Sequence, residues 1–167
     1  TQYNQQQVTY NSIISETSAT VGVGSASLAN PFGASAPISK TQFLFTASEL
    51  TAAGFLSDSI TGIRLDVSSL GSALSNLRIR IKTTTQTVLN ADAPEVEGFN
   101  EVYFLNSTLA ATGIQPFNVY SNFWWDGTSN LIIEFSYDNS TPGIDNVLSG
   151  ADAGFTSALT TKAADNY

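Results

Sequence analysis

Apolar and polar residues alternate along most of this chain with a period of two. In "SNLRIRIKTTT", Leu77, Ile79 and Ile81 fall on one side and Arg78, Arg80 and Lys82 on the other. In "SITGIRLDVSS", Ile63, Leu65 and Val67 oppose Gly62, Arg64 and Asp66, and in "NLIIEFSYDN" Leu131, Ile133, Phe135 and Tyr137 oppose Ile132, Glu134 and Ser136. Successive side chains of a strand point to opposite faces, so this is the signature of half-buried antiparallel strands. Residues 40–46, 100–106 and 115–121 read as further strands, and 6–15 and 18–26 as additional ones. One short helix is expected near residues 47–54, with Ser48 as N-cap, Glu49 in the first turn and Gly54 just past the end. Turn pairs such as Asn30-Pro31, Gly71-Ser72, Ala93-Pro94, Asp126-Gly127 and Pro142-Gly143 separate the strands. The pattern predicts an all-β, antiparallel β-sandwich of jelly-roll type. A single domain over residues 1–167 is expected, with residues 1–7 flexible or strand-donating and residues 159–167 a linker to a following domain.

The length suits one core, since a chain of 167 residues buries about 70% of its unfolded surface. Charged residues make up only 12% of the chain, about half the usual share of roughly 25%. Ser, Thr, Asn and Gln replace them, as on the wet faces of secreted β-proteins. There is no Cys, no His and no Met. These absences remove disulfides, thiolate chemistry and every histidine-based nucleophile or metal site. A net charge of −8 disfavours nucleic acid and anionic membrane surfaces. No run of about 20 apolar residues suggests membrane insertion. The Thr1 start fits a cleaved leader. Arg64, Arg78, Arg80 and Lys82 cluster in sequence, and their period reads as the solvated side of strands.

The most unusual stretch is "NFWWDGTSNLIIEF", residues 122–135, which holds both tryptophans of the chain. Neighbours on a strand face opposite ways, so at most one indole joins the core from an extended segment. An exposed indole beside a carboxylate is a common grip on a sugar ring, which makes Trp124 and Asp126 the ligand-binding candidates. The competing reading packs both rings, one inside and one beneath a loop. Asp92, Glu95, Glu97 and Glu101 supply carboxylates for a glycosidase pair, or are dispersed surface acids. Asp138, Asn139 and Asp145 are oxygen ligands for a structural Ca²⁺, although no segment matches a calcium-loop pattern. No other cofactor is implied.

Three stretches together carry a resemblance: "NPFGASAPISKTQFLFTASELTAAGFLSDSITGIRLDV", "LSNLRIRIKTTT" and "PFNVYSNFWWDGTSNLIIEFSYDN". Roughly residues 30 to 140 resemble a β-sandwich module recurrent in large secreted and cell-surface proteins of Bacteroidota. The resemblance implies export by the type IX secretion system and a place among peptidase, lectin-like or fibronectin-like domains at the cell surface. It carries over no catalytic residue. The chain departs from some relatives in lacking cysteines, and its end at "KAADNY" resembles a join to another domain. Asp58-Ser59-Ile60 matches the short O-glycosylation pattern of those bacteria, which makes Ser59 a candidate modification site. Sequence and resemblance together lead to the expectation of a non-catalytic, extracellular structural or adhesion module. Its partners are neighbouring domains, other surface subunits or glycans. The alternatives are a carbohydrate-binding module, a filament subunit joined by strand addition, and, last, a carboxylate glycosidase.

Overall fold

The chain forms two antiparallel sheets and one short helix in a computed structural model that describes residues 17–162. The strands are β1 (Ala26–Leu28), β2 (Ile38–Phe45), β3 (Asp58–Ser69), β4 (Leu74–Thr84), β5 (Asn100–Ser107), β6 (Gly113–Trp125), β7 (Asn130–Asp138), β8 (Val147–Gly150) and β9 (Ala158–Thr161), with helix α1 (Ala47–Ala52) between β2 and β3. One sheet runs β1-β8-β3-β6 and the other β5-β4-β7-β2-β9. The first strand thus pairs with the eighth, the second with the seventh, the third with the sixth and the fourth with the fifth.

The alternation of the sequence packs one sheet against the other. Val67 of β3, Phe117, Phe123 and Trp125 of β6 and Leu148 of β8 meet Leu77, Ile79 and Ile81 of β4, Val102 of β5 and Leu131, Phe135 and Tyr137 of β7 in one core. Phe32, fully buried in the loop before β2, sits between the layers, with ring centroids 5.7 Å from Phe117 and 5.8 Å from Phe135. Such tilted and edge-on pairs add to the area they bury.

A smaller apolar cluster lies on the other face of the five-stranded sheet. Leu44, Ile132 and Leu89 form it, with Phe99, Phe155 and Leu159 packed against them. The long β4–β5 loop and the segment before β9 lie over the sheet here, held by Leu44 N–H to the Ser157 carbonyl at 2.7 Å and Leu89 N–H to the Thr156 carbonyl at 2.8 Å. This explains why "NLIIEF" is apolar on both sides: β7 is covered on both.

Three sequence expectations are corrected. Thr46, not Ser48, caps α1: Thr46 is extended (φ −75°, ψ 149°), its hydroxyl accepts from Glu49 N–H, and the Glu49 carboxylate accepts from Thr46 N–H. This is a complete capping box, two residues earlier than the expected Ser48 cap. Residues 18–26 are not a strand; Gly22 turns at φ 71°, and only Ala26 onward pairs with β8. Residues 159–161 are not linker, because they belong to β9, where Thr160 and Thr41 hydroxyls bond at 2.9 Å and Leu159 joins the outer cluster. The expected strand at 6–15, the role of residues 1–7 and the rest of the proposed linker lie outside the described residues.

Candidate functional site

β6 is an edge strand, and it carries the two tryptophans at its end. Trp125 is 1% exposed and Trp124 62% exposed, as opposite faces of one strand require. The Trp125 ring joins the core and donates from Nε1 to the Ser129 carbonyl at 2.8 Å. Gly127 takes φ 81°, which closes the turn without Cβ strain. Trp124 looks outward, and its register partner is Ser59 on β3. Directly paired residues share a face, so the candidate modification site Ser59, half-buried, sits beside the exposed indole.

Asp126 is exposed next to Trp124, and its carboxylate is engaged in its own turn. Its carboxylate accepts from Thr128 N–H (2.8 Å), Ser129 N–H (2.7 Å) and the Ser129 hydroxyl (2.6 Å). These bonds, the Ser129 hydroxyl foremost, hold its pKa down at about 2. The residue is spent on its own turn. Sequence reading paired Trp124 with its neighbour in the chain; the fold pairs it with residues across a gap.

That gap is an open cleft of about 630 Å³ lined by Thr83, Phe99, Asn100, Glu101, Ser121, Asn122, Phe123 and Trp124. It lies between β5 and β6, the neighbouring edge strands of the two sheets. The β3–β6 ladder is interrupted between Ile60/Phe123 and Gly62/Asn118, so residues 119–122 of β6 leave the regular register beside the cleft. Bulges of this kind re-aim side chains at sheet edges. Tyr120 donates its hydroxyl to Glu101 across the two layers, and Glu101 is ion-paired to Arg78 at 2.9 Å. A second, smaller cleft of about 250 Å³ continues along the same side between Leu105 and Gln115.

Two more carboxylates, Glu134 and Glu95, are drawn into the frame. Glu134, 1% exposed, accepts from Arg80 (2.9 Å from Nε) and from Gln42 (2.8 Å). Lys82 meets the Glu95 carboxylate at 2.5 Å and the Glu97 carbonyl at 2.9 Å, and Gln86 donates to the same Glu95 carboxylate. Phe99 lies under both cations, 4.9 Å from the Arg80 guanidinium and 5.4 Å from the Lys82 amine. Burial depresses the Lys40 amine on the same face, with Glu134 opposing and Arg80 and Arg78 adding to the effect. The basic period of β4 is therefore not a solvated face; the β4–β5 loop covers much of it with acids and Phe99. Glu95 and Glu101 each bind a cation, while Asp92 and Glu97 remain on exposed loop positions.

Two of the oxygen ligands suggested for Ca²⁺, Asn139 and Asp145, serve as loop ties. Asn139 accepts from Ser75 N–H and donates to the Ala73 carbonyl; Asp145 accepts from Ser35 N–H at 2.6 Å. Asn146 clamps the same β3–β4 turn, accepting from Gly71 N–H and donating to the Ser72 carbonyl. Asp138 is exposed at the end of β7. Among the described residues no three acidic side chains gather to hold a metal, and no helix is long and apolar enough to cross a membrane.

Comparison with family models, with curated proteins and with solved structures gives no match to this chain.

Proposed function

We propose that this chain is an extracellular, non-catalytic module of jelly-roll topology, an adhesive or structural part of a larger bacterial surface protein or assembly. The jelly-roll reading is supported by the pairing of strands one with eight, two with seven, three with six and four with five. That order arises when one long antiparallel hairpin is rolled into two layers, with β9 added outside β2. The low share of charge and the wealth of hydroxyl and amide side chains support an extracellular setting.

The non-catalytic reading rests on one observation above the rest. Glu95, Glu101 and Glu134 are each ion-paired to a separate cation, Lys82, Arg78 and Arg80, so they brace the five-stranded sheet rather than face one another across a reacting bond. The test uses the full chain immobilised on beads and presented under flow to bacterial cells and glycan-coated surfaces. Retention above a heat-denatured control is expected. Equal retention overturns the adhesive reading, and release of reducing ends from polysaccharides by the folded chain overturns the non-catalytic one.

A further inference from the structure

We infer that the cleft between the β5 and β6 edges is a binding site for a neutral oligosaccharide, with Trp124 as its stacking platform. The inference rests on the non-catalytic reading above and gives it a ligand class. A sugar ring presents a face of C–H groups and a rim of hydroxyls, so its site needs a flat apolar surface flanked by short-range donors and acceptors. The cleft has both. Trp124 stands 62% exposed at its margin, and Phe99 forms part of its lining. Asn100 and Asn122 each offer an amide donor and acceptor, Thr83 and Ser121 offer hydroxyls, and Glu101 offers carboxylate oxygens.

Glu101 is held in place before any ligand arrives. Tyr120 bonds one of its oxygens and Arg78 pairs with the other, which leaves further lone pairs on a carboxylate that accepts about four bonds. Such support lowers the ordering cost of binding. The cleft is open rather than enclosed, and the second cleft follows it along the same side between Leu105 and Gln115. That layout suits an extended chain lying along the two sheet edges better than a small enclosed molecule. The net charge of −8 and the Glu101 carboxylate at the site disfavour anionic saccharides, so the ligand is neutral.

The two indoles make a built-in probe, because Trp124 is open to solvent and Trp125 is closed. A glycan array selects the saccharide, and the full chain is then titrated with it while acrylamide quenching of fluorescence is followed. A neutral oligosaccharide is expected to shield the quenchable half of the emission and leave the buried half unchanged. Trp124→Ala is expected to weaken binding at least tenfold and Asn122→Ala several-fold. Thermal midpoints should stay unchanged, since both side chains are exposed. Absence of any array hit overturns the inference, as does a hit that Trp124→Ala binds equally well. Shielding by extended peptides, lost when their backbone amides are methylated, overturns it in favour of strand addition at the same edge. Cell retention without saccharide binding sinks this inference alone; cleavage of the bound saccharide sinks the non-catalytic reading while the site stands.

Discussion

Trp124 and Trp125 are chemically identical and adjacent, yet one backbone step gives them opposite consequences. Truncating Trp125 empties a core site and strips the Ser129 carbonyl of its donor. Trp125→Ala is expected to cost about 3–5 kcal/mol in urea unfolding, whereas Trp124→Ala should stay within about 0.5 kcal/mol. A large loss for Trp124 would mean that its ring is covered. Asp126 adds a pH signature. Its folded pKa of about 2 lies below the ordinary 3.8, so its contribution is present above pH about 4 and is lost as the pH falls through about 2. Asp126→Asn should flatten the stability profile across that window, read by acid titration of the Trp125 emission. An unchanged acid limb would show that the turn bonds carry no linkage.

At the scale of elements, β4 and β7 share one buried carboxylate. Glu134 is enclosed and Arg80 is its cation. Arg80→Met is expected to destabilise by about 3–5 kcal/mol, because it leaves a buried charge unpaired, while Arg80→Met combined with Glu134→Leu should recover most of the loss. A double variant no better than the single one would place the cost elsewhere. Helix α1 offers a smaller test: Thr46→Ala removes the cap and should cost about 1 kcal/mol.

The strands were legible because burial on one face writes itself into the chain as alternation, and "NLRIRIK" and "GIRLDV" did so plainly. The helix was legible too, although its cap was displaced by two residues; the Thr46-Ala47-Ser48-Glu49 spacing was the signal that fixes it. What covers a sheet was not legible. Loop residues 85–99 carry no period, and their place over Arg80, Lys82 and Ile132 depends on contacts distant in sequence. The same limit hid the cleft: Trp124 was found by its neighbour's orientation, but Asn100 and Glu101 reach it only through the fold. The bonds of Asp126 within its own turn follow from its place before Gly127 and Ser129, since an Asp at a turn bonds nearby backbone N–H groups.

At the scale of the whole molecule, the end of the sandwich beneath Phe32 is tied by side chains. Tyr137 donates to the Gly33 carbonyl at 2.7 Å and lies 3.1 Å from that of Ala36, while Asn139, Asp145 and Asn146 fasten the neighbouring loops. Burial pushes the Tyr137 phenol up to about 12 from an ordinary 10.0. The folded pKa is the higher one, so this contribution is whole below pH about 10 and is lost as the pH rises through about 12. The fold should therefore lose stability over that interval. Tyr137→Phe should abolish this part of the alkaline slope while lowering stability at neutral pH.

The positions of β1 and β9 also decide how the molecule answers a pull. β1 is three residues long at the outer margin of one sheet, and β9 is four residues long at the outer margin of the other. Tension carried along the backbone from before β1 to beyond β9 meets these two short flaps first, one on each layer. They peel away and lengthen the tether while the paired strands from β2 to β8 keep the cleft intact. A fold built this way yields a little under load before its central strands part, and single-molecule stretching should record small early extensions ahead of the main rupture.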